Sequence, residues 1–68
     1  MTIGEKIREL RQRRGISQMG LARELGVAIS TVQFWEYGTH FPRWAMLREM
    51  IALFDVTAEE FLEGIDVI

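Results

Sequence analysis

GVAISTVQFWEYGTHFP, residues 26–42, decides how the rest of the chain reads. Val32 and Trp35 stand three residues apart, the spacing of one helix face. Gly26 and Gly38 flank them as stops, and Pro42 pre-sets the turn beyond. The stretch predicts a helix over about 29–37 with Val32 and Trp35 inward. At about 100° per residue, Phe34 lies about 160° from Val32 and about 100° from Trp35. Phe34 is therefore expected on the outside, and Ile29 and Tyr37 also fall off the inward face.

The flanking sequence is punctuated in the same way. Upstream, Ser17 caps a helix whose Leu21, Ala22 and Leu25 point inward and which Gly26 ends. Before it, Thr2 and Glu5 form a capping box opening a helix with Ile3, Ile7 and Leu10 on one face. That helix runs to Arg14, and Gly15 stops it. Downstream, Trp44, Leu47, Met50, Ile51 and Phe54 recur at helical spacing over about 43–54. The expected core includes Leu47, Met50 and Phe54, with Trp44 buried or half-buried. Thr57 and Glu60 form a second capping box before a short helix with Phe61 and Leu62 inward. The apolar tail Ile65, Val67 and Ile68 either packs down or belongs to something longer. No alternating strand pattern competes, so the chain predicts an all-α bundle of five short helices joined by short loops.

Composition bounds the function. Sixty-eight residues, 49% hydrophobic and 26% charged, suit one small globular domain spanning 1–68. The chain has no cysteine and one histidine, His40. Neither a thiolate metal site nor a catalytic triad can be assembled, so no cofactor, metal or enzymatic role is expected. No apolar run nears the roughly 18 residues of a membrane span, and no signal-peptide pattern opens the chain. A cytoplasmic or recombinant domain is the expectation. The net charge of −2 is unevenly placed. Residues 1–48 hold all eight basic groups against four glutamates, a balance of +4. Residues 49–68 hold six acids and no base, a balance of −6. The basic part could face phosphate, although a pI of 5.3 is low for a nucleic-acid binder.

Helix, glycine turn, helix over residues 17–37 is the helix-turn-helix arrangement. The longer run IRELRQRRGISQMGLARELGVAISTVQFWEYG, residues 7–38, resembles the Cro and phage-repressor family of helix-turn-helix domains, of the xenobiotic-response-element type. The resemblance extends over about residues 3–64. It implies a five-helix fold and a recognition helix at 29–37 that binds operator DNA in a dimer. It implies a buried ion pair between Arg11 and Glu36. It implies phosphate contacts from Ser17, Gln18 and Arg43, and base reading from the positions of Ala28, Ile29, Ser30, Gln33 and Phe34. Of those five, only Ser30 and Gln33 can hydrogen-bond to a base edge. Ala28 departs from the family's usual serine or threonine cap. Met19 and Gly20 replace its polar residues, and Thr39, His40 and Phe41 fill a loop that is often basic.

Two functional expectations follow. The leading one is a protein-binding module whose DNA-facing surface has become apolar. Met19, Ile29, Phe34 and Phe41 would anchor the partner, with His40 and Arg43 at the rim and Tyr37, Ala45 and Met46 beside them in the interface. Such a surface would suit an engineered binder or a natural domain, and a self-complementary patch would pair two copies as a homodimer. The alternative is a DNA-binding transcriptional regulator. Gln18, Ser30, Gln33 and Arg43 would touch DNA, and a dimer would span half-sites about 34 Å apart.

Overall fold

The computed structural model describes residues 1–66. Five helices follow in order: α1 (Ile3–Arg13), α2 (Gln18–Leu25), α3 (Ile29–Tyr37), α4 (Trp44–Phe54) and α5 (Ala58–Leu62). There is no strand among the described residues, so the fold is all-α as expected.

Predicted signals mark many of these helix boundaries. The Thr2 hydroxyl accepts from the Glu5 N–H at 3.1 Å, and the Glu5 carboxylate accepts from the Thr2 N–H at 2.7 Å. Thr57 and Glu60 repeat the arrangement at the start of α5, with both bonds at 3.0 Å. The Thr57 backbone N–H, and then its hydroxyl, hold the Glu60 carboxyl below its ordinary value of 4.5. Ser17 accepts from the Gly20 N–H at 2.9 Å. Gly20 has no side chain to return the bond, so this cap is one-sided. Gly26 closes α2 at φ 70°, a left-handed conformation that glycine adopts without a Cβ penalty. Asp55 closes α4 in the same region at φ 56°. Aspartate tolerates that conformation better than most residues.

The core draws on every helix. Ile7 and Leu10 come from α1, Leu21, Ala22 and Leu25 from α2, and Val32 and Trp35 from α3. Met50 and Phe54 of α4 and Phe61 of α5 complete it. Two expected core residues are not there. Trp44 is 63% exposed and Leu62 is 56% exposed. Trp44 lies about 20° from half-buried Ile51 around α4, but two turns nearer the helix start, at the margin of the bundle. Leu62 follows Phe61, and adjacent helical residues point about 100° apart, so the five-residue α5 turns only Phe61 inward. Leu47 is half-buried rather than central. In the tail, Ile65 packs against the core, while Val67 and Ile68 lie outside the described residues.

Gly4 and Lys6 both seat α1 against the rest of the bundle. Gly4 is buried where α1 crosses the end of α3, and a Cβ there would collide with the carbonyl oxygens of Trp35 and Glu36. Lys6 is also buried, and its Nζ donates to the Glu63 carbonyl at 2.8 Å. Nearby, the Met1 amino group donates to the Gly64 carbonyl at 2.9 Å, and the Asp66 N–H donates to the Met1 carbonyl at 3.0 Å.

At an open helical site, Gly→Ala would stabilise by about 1 kcal/mol. Here the opposite is expected. Gly4→Ala should lower the unfolding free energy by about 1–3 kcal/mol, because two backbone carbonyls must move. Urea denaturation of the two proteins measures the sign, and a gain in stability would contradict the close approach.

Candidate functional site

α2 and α3 meet through the turn at Gly26, with the Val27 N–H donating to the Ala22 carbonyl at 3.0 Å. α3 buries Val32 and Trp35 and turns its other sides outward. Ala28 precedes it with extended backbone and no side-chain cap, as the missing hydroxyl predicts. Ser30 is exposed and Gln33 is half-buried on the outer surface.

The predicted ion pair is present. Arg11 Nε donates to Glu36 Oε2 at 2.7 Å and Arg11 Nη2 to Glu36 Oε1 at 3.2 Å. The two side chains are only 10% and 4% exposed. Arg11 Nη1 reaches the Ile16 carbonyl at 2.9 Å, which ties the pair to the turn before α2. Gln18 joins from the first turn of α2. Its Nε2 donates to Glu36 Oε1 at 3.1 Å, and its Oε1 accepts from Gln33 Nε2 at 3.4 Å. Two candidate DNA-contacting residues are thus bonded to each other and to the buried pair.

These contacts revise the charge that the sequence offers. Arg11 is spent inside, Lys6 is held by a backbone carbonyl, and Arg13 pairs with Glu9 at 2.9 Å. Among the described residues, Arg8, Arg14, Arg23, Arg43 and Arg48 are exposed and form no ion pair.

The apolar residues gather only in part. The N–H groups of Thr39 and His40 donate to the Phe34 carbonyl at 3.0 and 3.3 Å, folding the loop back over α3. The Phe34 and His40 rings then lie 4.8 Å apart, tilted by 44°. A cavity of about 380 Å³ opens beside them, lined by Thr31, Phe34, Trp35, His40, Phe41, Arg43 and Met46. Met19, Ile29 and Tyr37 are exposed but do not line it. Ala45 lies in a separate depression with Arg48, Glu49 and Ala52. Phe41 also borders a second cavity, of about 260 Å³, with Met1, Thr2, Ile3, Ile65 and Asp66.

Residues 2–63 match the model of a family described as a helix-turn-helix domain. Over 68 residues, all of this chain, the sequence is 32% identical to the HTH-type transcriptional activator BcrR of Enterococcus faecalis. The match spans 33% of that protein's length. Over 57 residues it is 30% identical to the uncharacterized HTH-type transcriptional regulator YazB of Bacillus subtilis (strain 168). That match covers 84% of this chain and 83% of its relative.

Two stability changes test this reading of the site. Glu36→Ala leaves the Arg11 guanidinium buried without its carboxylate and should cost about 3–5 kcal/mol. Replacing Arg11 and Glu36 together by Met and Leu should recover most of that loss in the same denaturation assay. A single-variant loss below about 1 kcal/mol would mean a pair as weak as a surface one. Separately, Ala28→Ser supplies the absent cap of α3 and should add about 1 kcal/mol. No gain in thermal or urea stability would show that the first N–H groups of α3 do not need it.

Proposed function

The chain belongs to this helix-turn-helix family, and from that premise we propose that it is the DNA-contacting domain of a transcriptional regulator acting in the cytoplasm. The observation that carries the reading is the outer surface of α3 and α2, where Gln33 bonds to Gln18 and exposed Ser30 lies three residues before Gln33 on the same helix. α3 enters the major groove, as the second helix of such motifs does. Gln33 pairs with a base edge, Ser30 bonds to a neighbouring base, and Ile29 meets a thymine methyl. Arg43 and the exposed arginines of α1 and α2 neutralise phosphates, which position the domain without reading sequence. The names of both relatives favour this reading over the protein-binding role that the apolar residues suggest first. A dimer would place two copies on adjacent half-sites.

Titration with mixed-sequence duplex tests the proposal. Binding should be measurable at about 50 mM salt and fall steeply by about 200 mM, with a log–log slope near −0.9 per phosphate neutralised. Arg43→Ala should reduce that slope by about 1. Absence of binding at the lower salt would overturn the reading.

The cavity beside Phe34 favours one second reading, a protein partner with Phe34, His40, Phe41 and Met46 as its seat and Arg43 at the rim. Phe34 has no hydrogen bond to offer a base. On the DNA reading, Phe34→Ala should leave duplex affinity within about threefold, or 0.6 kcal/mol. On the protein reading, it should cost more than about 2 kcal/mol toward that partner, or toward a second copy of the chain.

A further inference from the structure

A glutamine amide has two ends of opposite sense, because its oxygen accepts and its NH2 donates. Which end faces a neighbour decides what the free edge presents. In this domain that choice runs outward from the core. The Glu36 carboxylate, already gripped by Arg11, can only accept. Gln18 must therefore turn its NH2 toward Glu36 Oε1, at 3.1 Å. Its own oxygen is then left facing α3, where it accepts from Gln33 Nε2 at 3.4 Å. The Gln33 NH2 is thus directed toward α2. One buried negative charge sets the sense of two successive amides.

We propose that Glu36, acting through Gln18, fixes the amide sense of Gln33, and that Gln33 held this way selects adenine over guanine. The inference rests on the DNA-binding reading above. With one N–H given to Gln18, Gln33 keeps its carbonyl oxygen and a second N–H, an acceptor beside a donor. In the major groove, adenine offers the complement, the N6 amino group beside the N7 acceptor. Guanine offers O6 and N7, two acceptors. A freely turning glutamine could flip and give its NH2 to guanine O6. The tethered one meets that oxygen with its own oxygen. The tether also orders the side chain before DNA arrives, so less freedom is lost on binding. Gln33 is the reading residue, and Gln18 and Glu36 are positioning residues.

The test selects bound sequences from a randomised duplex pool and then measures affinities for sites carrying adenine or guanine at the contacted position. The domain as it stands should prefer adenine by about tenfold or more. Gln18→Met keeps the length of the side chain and removes its amide, and should lower that ratio by at least about threefold while base preferences elsewhere hold. Gln33→Ala should abolish the ratio, and adding Gln18→Met to it should change nothing further. Gln18→Asn, an amide too short to span both partners, should act as Gln18→Met does and guards against a variant that misfolds. In the free domain, side-chain amide NMR should show restricted Gln33 Nε2 motion that loosens in Gln18→Met. If the domain binds and selects sequence but Gln18→Met leaves the adenine-to-guanine ratio unchanged, the relay is wrong and the DNA-binding reading stands. If restricted Gln33 motion persists without the Gln18 amide, the relay is wrong as well. If the domain binds no duplex at low salt, both readings fall.

Discussion

Glu36 holds its carboxylate where water hardly reaches, and the arrangement of α1, α2 and α3 follows from how that charge is met. Arg11 brings the guanidinium from α1 and bonds to the Ile16 carbonyl before α2. Gln18 adds a third donor from α2 itself. No buried side-chain polar atom among the described residues lacks a partner, so the network is complete. Removing two ions from water is costly, and such a pair adds little net stability over a well-packed apolar one. Its physical effect lies in the penalty for breaking it, which disfavours other placements of α1 against α3. Gly4 supports the same geometry from the steric side, since the backbone of α1 can come this close to α3 only without a Cβ.

Most of the fold was legible because its boundaries are written in local chemistry. Thr2, Ser17 and Thr57 cap the helices they were expected to cap, and α2 and α3 stop at Gly26 and Gly38. Three features escaped, each for its own reason. Periodicity identifies one side of a helix but not how far its neighbours extend, so Trp44 was assigned to an interior that stops short of it. Phe61 and Leu62 point about 100° apart, and the five-residue α5 turns only Phe61 inward. The burial of Lys6 depends on a backbone carbonyl at Glu63, and a carbonyl has no identity in the sequence.

The site was legible as a list of residues and much less as an arrangement. The resemblance located Arg11 and Glu36, and the structure holds them at hydrogen-bonding distance. A count of basic residues treated Lys6, Arg11 and Arg13 as available for phosphate, although each is engaged within the domain. The apolar residues form no single continuous pocket lining: the loop after Gly38 folds back on Phe34, and His40, Phe41 and Met46 of α4 line the cavity there, whereas Met19 and Ile29 do not. The bond between Gln18 and Gln33 joins residues 15 apart in the chain, and no local spacing rule connects them. It becomes visible only when α2 and α3 are set at their crossing.

The unequal burial of the two tryptophans gives the domain two separate optical signals. Trp35 is 5% exposed and sits among the side chains that define the interior, whereas Trp44 is 63% exposed on the first turn of α4. Indole emission shifts to longer wavelength as water surrounds the ring. In the folded protein the red side of the spectrum therefore belongs to Trp44 and the blue side to Trp35. Loss of the interior moves the blue component. An event at the surface of α4, one residue from Arg43 at the cavity rim, moves the red one. Loss of the interior and an event near the start of α4 can thus be told apart in one cuvette without a label.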